Sequence, residues 1–208
     1  MLQLYFFPMA CSLACRIALM EAGIEVDYRQ VDIFTKKVSG SAGDYRSITA
    51  KGAVPMLVLE DGQTLTENAA VLQYIADLRP ESGLAPPPGK LDRYRVQEWL
   101  SFVGTELHKA FLFPMFWYAN DAAKASARER IDGNVAVVAA HLDGRSFLVG
   151  ERFTVADAHL TWALLLLRFS GIDLSAPSLV AYLERVQQRP AVRNAIGIEM
   201  ELRRKAVA

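Results

Sequence analysis

The sequence predicts an α/β domain followed by an all-helical domain, and three observations support this division. Over residues 1–80, short apolar strands alternate with helical patterns in the order βαβ and then ββα. Residues 81–90 contain three consecutive prolines between two glycines, a composition typical of a stiff, extended linker. In residues 91–208 the apolar residues recur only at helical spacing.

Each element of the first domain follows from a local pattern. Apolar runs predict strands at 2–6 and 26–33, and an apolar stripe between them predicts a helix over 12–22. An Asp-Gly turn predicts a hairpin over 56–66, and a second helix follows over 71–78. Because a βαβ unit pairs its strands in parallel and a hairpin pairs them antiparallel, we expect a small mixed sheet covered by helices.

The second domain is predicted to be a set of helices. Apolar spacing places them at 96–107, 122–142, 154–171 and 178–189, the first of them broken near Pro114. The third helix opens with Thr154-Val155-Ala156-Asp157, which has the pattern of an acidic capping box.

Composition argues against several classes of function. Lys and Arg total 23, as do Asp and Glu, whereas a nucleic-acid binder normally carries a basic surplus. The most apolar run, Leu160 to Leu167, is far shorter than the roughly 18–20 residues of a membrane span. Because the N-terminus lacks a basic segment, no secretory signal is expected either. We therefore expect no nucleic-acid partner and no membrane.

The cysteines and histidines suggest a reduced, metal-free protein. A disulfide between Cys11 and Cys15 would close a tiny loop and add little stability, so a cytoplasmic location is the simplest expectation. The three histidines show no metal-ligand spacing, and His141 and His159 are assigned structural roles.

Cys11 lies where the first helix begins. Unpaired N–H groups and the helix dipole at that end favour a thiolate and would lower the pKa of the thiol. The alternative is that both cysteines are small buried hydrophobic residues. For Cys15, a full turn inside the helix, core packing is the stronger prediction.

Two further segments could bind a peptide-like ligand. If the Val54-Pro55 bond is cis, Val54 presents its backbone to a ligand; a trans proline would only start an edge strand. At Thr66-Glu67-Asn68 a helix N-terminus could bind a carboxylate while Glu67 receives an ammonium group, although an ordinary helix cap has the same pattern.

Six segments spread over both predicted domains carry a family resemblance. They are Pro8-Met9-Ala10-Cys11-Ser12-Leu13-Ala14, Lys51-Gly52-Ala53-Val54-Pro55, Leu65-Thr66-Glu67, Glu98-Trp99-Leu100, Thr105-Glu106-Leu107-His108-Lys109 and Phe153-Thr154-Val155-Ala156-Asp157. Together they resemble the bacterial beta class of the cytosolic glutathione transferases, over essentially the full chain. The cysteine segment combined with residues 105–109 is the most specific part.

The resemblance implies a thioredoxin-like N-terminal domain that binds glutathione, an all-α C-terminal domain that shapes the pocket of a small hydrophobic electrophile, and a homodimer. Glutathione is the implied co-substrate, with no separate cofactor. Cys11 and His108 are the implied catalytic residues. The implied glutathione-binding residues are Tyr5, Ser12, Lys36, Val54, Pro55, Glu67, Asn68, Ser101, Thr105, Glu106 and Lys109.

The resemblance also assigns parts of glutathione to particular residues. Val54 would bond the cysteinyl backbone, Glu67 with residue 68 would hold the γ-glutamyl head, and Lys36 would lie near the glycine end. The chain departs from the family at three places. Asn68 replaces a frequent Gly, Ser101 replaces an Asn of close relatives, and the tryptophan expected near Leu166 is absent, with Trp162 one turn earlier.

Two chemistries remain open for Cys11. In the first, Cys11 and the helix N–H groups stabilise the glutathione thiolate, which attacks an electrophile. In the second, Cys11 forms a mixed disulfide with glutathione that a second thiol resolves. We predict conjugation as the main activity and thiol–disulfide exchange as a secondary one. The alternatives are a non-catalytic glutathione-binding regulatory or scaffold protein, and a glutathione-dependent isomerase or dehalogenase.

An aromatic cluster follows the first long helix of the second domain. Phe113, Phe116, Trp117 and Tyr118 could line an electrophile pocket, or they could belong to the core or to a dimer contact.

Overall fold

The computed structural model describes residues 1–41, 43–116 and 120–207. The chain forms two compact units, one made of Met1–Ser82 with Pro190–Ala208 and the other of Gly83–Arg189. Among the described residues, none of the helices combines the length and the apolar character that crossing a bilayer requires.

The first unit is built on a mixed five-stranded sheet. The strands are β1 Gln3–Phe6, β2 Asp27–Asp32, β3 Lys37–Val38, β4 Met56–Val58 and β5 Thr64–Thr66, in the order β3-β2-β1-β4-β5. β1 is parallel to β2, whereas β4 is antiparallel to both β1 and β5. The predicted βαβ unit and hairpin are therefore confirmed. The two-residue strand β3 was not predicted, because so short a strand leaves no periodicity in the sequence.

Two helices follow the predicted patterns in this unit. They are α1 Ser12–Glu21 and α2 Asn68–Leu78. The apolar faces of α1 and α2 are buried, and the central strands β1 and β4 contribute Leu4 and Leu57 to the same core. This sheet-and-helix core holds the first turn of each helix in a fixed position.

The second unit is helical, as predicted. Its helices are α3 Leu91–Phe102, a π-helical segment Val103–Lys109, α4 Ala110–Phe116, α5 Asp121–Leu142, α6 Val155–Phe169 and α7 Pro177–Gln187. α6 is the core helix, since nearly all of its side chains are buried. The π-helical segment and the short α4, which contains Pro114, occupy the place where the sequence predicted a broken helix.

The segment predicted to be a linker packs on the second unit from Gly83 onward. Leu84 is buried, and its carbonyl accepts a hydrogen bond from the N–H of Val155 at 2.8 Å. Gly83 has a φ of 69°, and a Cβ there would lie 2.6 Å from the guanidinium of Arg152. Because the end of the Arg152 side chain is flexible, the positive φ is the stronger reason for a glycine at that position.

The last helix differs from the prediction, which stopped the helices at Pro190 and assigned residues 91–208 to one helical domain. Pro190 instead begins α8, Pro190–Val207, a position where the missing N–H of proline does no harm. α8 groups with the first unit, where Glu199 forms a buried ion pair with Arg16 of α1. Because these two residues are 183 positions apart, no local pattern could indicate the contact.

Candidate active site

Cys11 is the residue immediately before α1, as predicted. Its side chain is 8% exposed, and its Sγ donates a hydrogen bond to the carbonyl oxygen of Val54 at 3.2 Å. The preceding loop reaches this position through Met9, whose φ of 63° lies in the left-handed region. The sulfur thus lies at the N-terminus of a buried helix, where backbone N–H groups favour negative charge.

The proline loop beside Cys11 contains a cis Val54-Pro55 peptide bond, as hypothesised. Pro55 is buried and leads directly into β4. The hydroxyl of Tyr45 donates to the carbonyl of Ala53 at 3.0 Å, and the ring of Tyr45 stacks on Tyr5 with centroids 5.4 Å apart. Burial raises the pKa of Tyr45, so its hydroxyl keeps its proton as a donor.

Three of the implied glutathione-binding residues make contacts within the protein, near the proline loop or in the loop before Cys11. Tyr5 is buried in the core against Tyr45. Ser12 is buried, and its hydroxyl donates to the carbonyl of Phe7 at 3.3 Å, which closes the loop before Cys11. The ammonium group of Lys36 donates to the carbonyl of Gly52 at 2.8 Å, close to the proline loop.

Glu67 and Asn68 stand at the start of α2 but point in different directions. Glu67 has a φ of 71°, and its exposed carboxylate pairs with the ammonium of Lys51 at 3.0 Å. Lys51 also donates to the hydroxyl of Thr66 at 2.9 Å. Lys51 was not among the predicted site residues, although the motif that includes it was identified.

The side chain of Asn68 turns inward and contacts the second cysteine. Its Oδ1 accepts a hydrogen bond from the Cys15 thiol at 3.1 Å, and Asn68 is only 9% exposed. Cys15 is fully buried, as predicted, and burial is the main cause of the raised pKa of its thiol. Cys15 is therefore a protonated core residue, not a second reactive thiolate.

The other predicted site residues lie together in the second unit, at the end of α3 and in the π-helical segment. Ser101 and Thr105 are exposed, and the hydroxyl of Thr105 donates to the Ser101 carbonyl at 3.0 Å. The carboxylate of Glu106 pairs with Arg130, which lowers the pKa of Glu106. Lys109 is exposed at the last position of the segment. π-Helical turns are rare and occur frequently at functional sites.

His108 lies in the same segment and contacts an aromatic neighbour. Its half-buried ring meets the edge of Trp162 with centroids 4.6 Å apart. Trp162 also stacks with His159, which is buried and has no hydrogen-bond partner for either ring nitrogen among the described residues. Burial lowers the pKa of His159 to about 3, so this imidazole stays neutral.

The remaining candidates are structural or lie outside the described residues. The Nε2 of His141 is 2.8 Å from the carbonyl oxygen of Leu148, which fits its predicted structural role. Phe113 and Phe116 are exposed, while Trp117 and Tyr118 lie outside the described residues. No cluster of metal-ligating side chains occurs within 1–41, 43–116 and 120–207.

The site residues thus form one group in each unit. In the first unit Cys11, Val54 and Pro55 meet at the start of α1, with Lys36 beside the same loop and Glu67 at the start of α2. In the second unit a group of five residues, Ser101, Thr105, Glu106, His108 and Lys109, follows consecutive turns of one helical stretch.

Comparison with known proteins identifies the family of the chain. The family model described as glutathione S-transferase, N-terminal domain, matches residues 8–78, and the corresponding C-terminal domain model matches residues 105–190. Glutathione S-transferase GstA of Escherichia coli O157:H7 is 35% identical over 204 residues, covering 95% of this chain and 98% of that protein.

Solved structures of glutathione S-transferases also resemble the chain over nearly its full length. A sphingomonad glutathione S-transferase complexed with glutathione is 44% identical, with a TM-score of 0.90, and the match covers 95% of this chain and 98% of that chain. The bacterial beta class enzyme of Sphingomonas chungbukensis is 41% identical, with the same TM-score and the same coverage. The expected thioredoxin-like and helical domains and the beta-class resemblance are confirmed. By sequence and by fold, this chain belongs to the glutathione S-transferase family of enzymes.

Proposed function

We propose that the enzyme joins the thiol of reduced glutathione to small hydrophobic electrophiles, and that Cys11 lies beside the reacting sulfur. The observation that carries this proposal is the position of the Cys11 sulfur. It lies at the N-terminus of α1 and 3.2 Å from the carbonyl of Val54, whose bond to Pro55 is cis. Helix N–H groups and a thiol donor at this point would stabilise a second sulfur as its thiolate.

The rest of glutathione would lie along the first unit. Its cysteinyl backbone would pair with Val54, and its glycine carboxylate would meet the ammonium of Lys36. The γ-glutamyl ammonium would compete with Lys51 for Glu67, because Lys51 occupies that carboxylate. Since the Asn68 side chain is turned toward Cys15, the γ-glutamyl carboxylate would bond the backbone N–H groups at the start of α2. The 44% identical relative that is complexed with glutathione supports glutathione as the ligand.

The helical unit would supply the second substrate's surroundings. We extend the beta-class resemblance to His108 as a second catalytic residue, and to Ser101, Thr105, Glu106 and Lys109 as glutathione-binding residues on the same helical stretch. Family membership supports a homodimer that uses glutathione as co-substrate without a separate cofactor. The two free cysteines fit a cytoplasmic setting, where glutathione keeps thiols reduced.

The conjugation step balances without an oxidant. With an aryl chloride as electrophile, the glutathione thiol gives its proton to solvent and its thiolate attacks the ring carbon. A C–S bond forms, and the C–Cl bond breaks to release chloride. In the secondary exchange activity, the Cys11 thiolate would attack a glutathione-containing disulfide. That step forms a Cys11–glutathione disulfide and expels the other half as a thiolate, after which a second glutathione releases Cys11.

Cys11→Ala is expected to lower kcat/KM for conjugation of 1-chloro-2,4-dinitrobenzene by about tenfold or more, because each unit by which the thiol pKa rises removes tenfold of the thiolate. Reduction of a small disulfide by glutathione should vanish in the same variant. Cys11→Ser, which keeps a donor, should retain part of the conjugation rate. If Cys11→Ala conjugates at the wild-type rate but fails to reduce the disulfide, Cys11 is a redox residue with no part in transfer.

A further inference from the structure

The loop before Cys11 adopts a conformation that its own residues do not favour. Met9 has a φ of 63°, a left-handed backbone conformation that residues other than glycine rarely adopt. Such a residue persists only where its surroundings determine it. The Met9 side chain is buried, and its backbone N–H donates to Oε2 of Glu199 at 2.8 Å.

Glu199 also contacts α1 on the other side of Cys11. Its Oε1 accepts a hydrogen bond from Nε of Arg16 at 2.8 Å. Met9 precedes Cys11 by two residues, and Arg16 follows it by five. The Glu199 carboxylate therefore connects the loop that precedes α1 with the second turn of α1 itself.

The groups in this connection are buried. Glu199 is 0% exposed, and Arg16 is 3% exposed. The guanidinium of Arg16 lies over the ring of Tyr28, 3.6 Å from its centroid, and over Phe6 at 4.5 Å. These rings fix the cation, the cation fixes Glu199, and Glu199 fixes the N–H of Met9.

We propose that Glu199, on the C-terminal helix α8, is a positioning residue for Cys11: it holds the Met9 loop so that the Cys11 sulfur stays at the N-terminus of α1 and beside Val54. This proposal rests on the proposed role of Cys11 in glutathione transfer. Glu199 itself touches no reacting atom. Its expected influence is on the reactivity of the Cys11 thiol and, through that thiol, on kcat.

A matched pair of variants separates positioning from stability. Glu199→Gln and Glu199→Met both remove the charge that pairs with Arg16. Glutamine keeps one oxygen, which can accept from the Met9 N–H or from Nε of Arg16, and methionine accepts from neither, so the same pair in the Arg16→Met background isolates the Met9 contact. If Glu199→Met fails to fold, the double variant Arg16→Met/Glu199→Met replaces it, since exchanging both buried charges for apolar groups is often neutral or stabilising. In that case Arg16→Met/Glu199→Gln is its partner.

The first readout needs no glutathione. The rate at which iodoacetamide alkylates Cys11 is followed against pH by mass spectrometry of the Cys11 peptide, in samples shown by circular dichroism to be folded. We expect the midpoint of this profile to rise by about one pH unit in the methionine variant and to stay near the wild-type value in the glutamine variant, because only the former loses the Met9 contact.

The second readout is conjugation. We expect kcat to fall about tenfold in the methionine variant, with a KM for glutathione within about twofold of wild type, and to recover most of that loss in the glutamine variant. Identical alkylation profiles in the two folded variants would overturn the proposal, whatever the conjugation rates are. A wild-type protein that reacts normally with iodoacetamide but conjugates nothing would instead refute the proposed function.

Discussion

Asp157→Ala is expected to lower the free energy of unfolding by about 4 kcal/mol, because it removes the acceptor of several buried hydrogen bonds at once. The carboxylate accepts from the backbone N–H groups of Leu148 and Thr154, both at 2.9 Å. It also accepts from the hydroxyls of Thr154 at 3.0 Å and Tyr182 at 3.1 Å. With Asp157 gone, the start of the core helix α6 loses its capping box, and buried donors lose their partners.

Urea unfolding followed by tryptophan fluorescence measures this loss, since Trp162 lies in the same helix. Burial raises the pKa of Asp157 to about 6, so the titration is done at about pH 8, where the carboxylate is ionised. Asp157→Asn, which keeps one oxygen acceptor, should give an intermediate loss. The control is Asp173→Ala, in an exposed turn where the carboxylate accepts from the N–H and the hydroxyl of Ser175. A loss below about 1 kcal/mol for Asp157→Ala would contradict the structural role given to this residue.

Arg16→Met is expected to lower the free energy of unfolding by about 3–5 kcal/mol, because it leaves the Glu199 carboxylate buried without its cation. Nε of Arg16 lies 2.8 Å from Oε1 of Glu199, and both side chains are almost completely buried. The substitution also removes the contact between the Arg16 guanidinium and the Tyr28 ring.

The matched control lies on the same C-terminal helix. Lys205 and Glu201 form an ion pair at 2.8 Å, but both side chains are more than half exposed. Lys205→Met should therefore leave the urea midpoint unchanged within error. Equal shifts for the buried and the exposed pair would show that the Arg16–Glu199 contact does not support the first unit.

The elements that carry the chemistry could be predicted from the sequence because their signals are local. The stripe of apolar residues after Ser12 placed the start of α1, and with it Cys11, at the right position. The Asp-Gly turn placed the β4–β5 hairpin, and the Thr154–Asp157 spacing placed the start of α6. Each of these signals depends on residues fewer than a dozen positions apart.

The contacts that orient the site could not be predicted, because they join distant parts of the chain. Glu199 reaches Met9 across 190 residues, and Asn68 turns toward Cys15 across 53. The resemblance to the beta class suggested that the Asn68 side chain is available to a carboxylate. In the structure the amide oxygen contacts the Cys15 thiol, while the amide nitrogen has no hydrogen-bond partner among the described residues.

The π-helical segment was likewise not predictable from apolar spacing. Helical periodicity places Val103 and Leu107 on one buried face for either an α-helix or a π-turn. A π-turn closes its hydrogen bonds five residues apart instead of four, which changes the direction of side chains in the segment, His108 and Lys109 among them.

Protection of the Cys11 thiol by a bound ligand shows whether Cys11 lies in the glutathione site. S-methylglutathione is the ligand of choice, because it has no thiol to consume the reagent, and a tripeptide with an α- in place of the γ-glutamyl linkage is the matched control. The rate of Cys11 alkylation by iodoacetamide is measured by mass spectrometry, with buried Cys15 as the internal reference. We predict that saturating S-methylglutathione slows Cys11 alkylation at least tenfold and that the control peptide does not. An unchanged rate at a ligand concentration shown by calorimetry to saturate the protein would contradict this placement of Cys11.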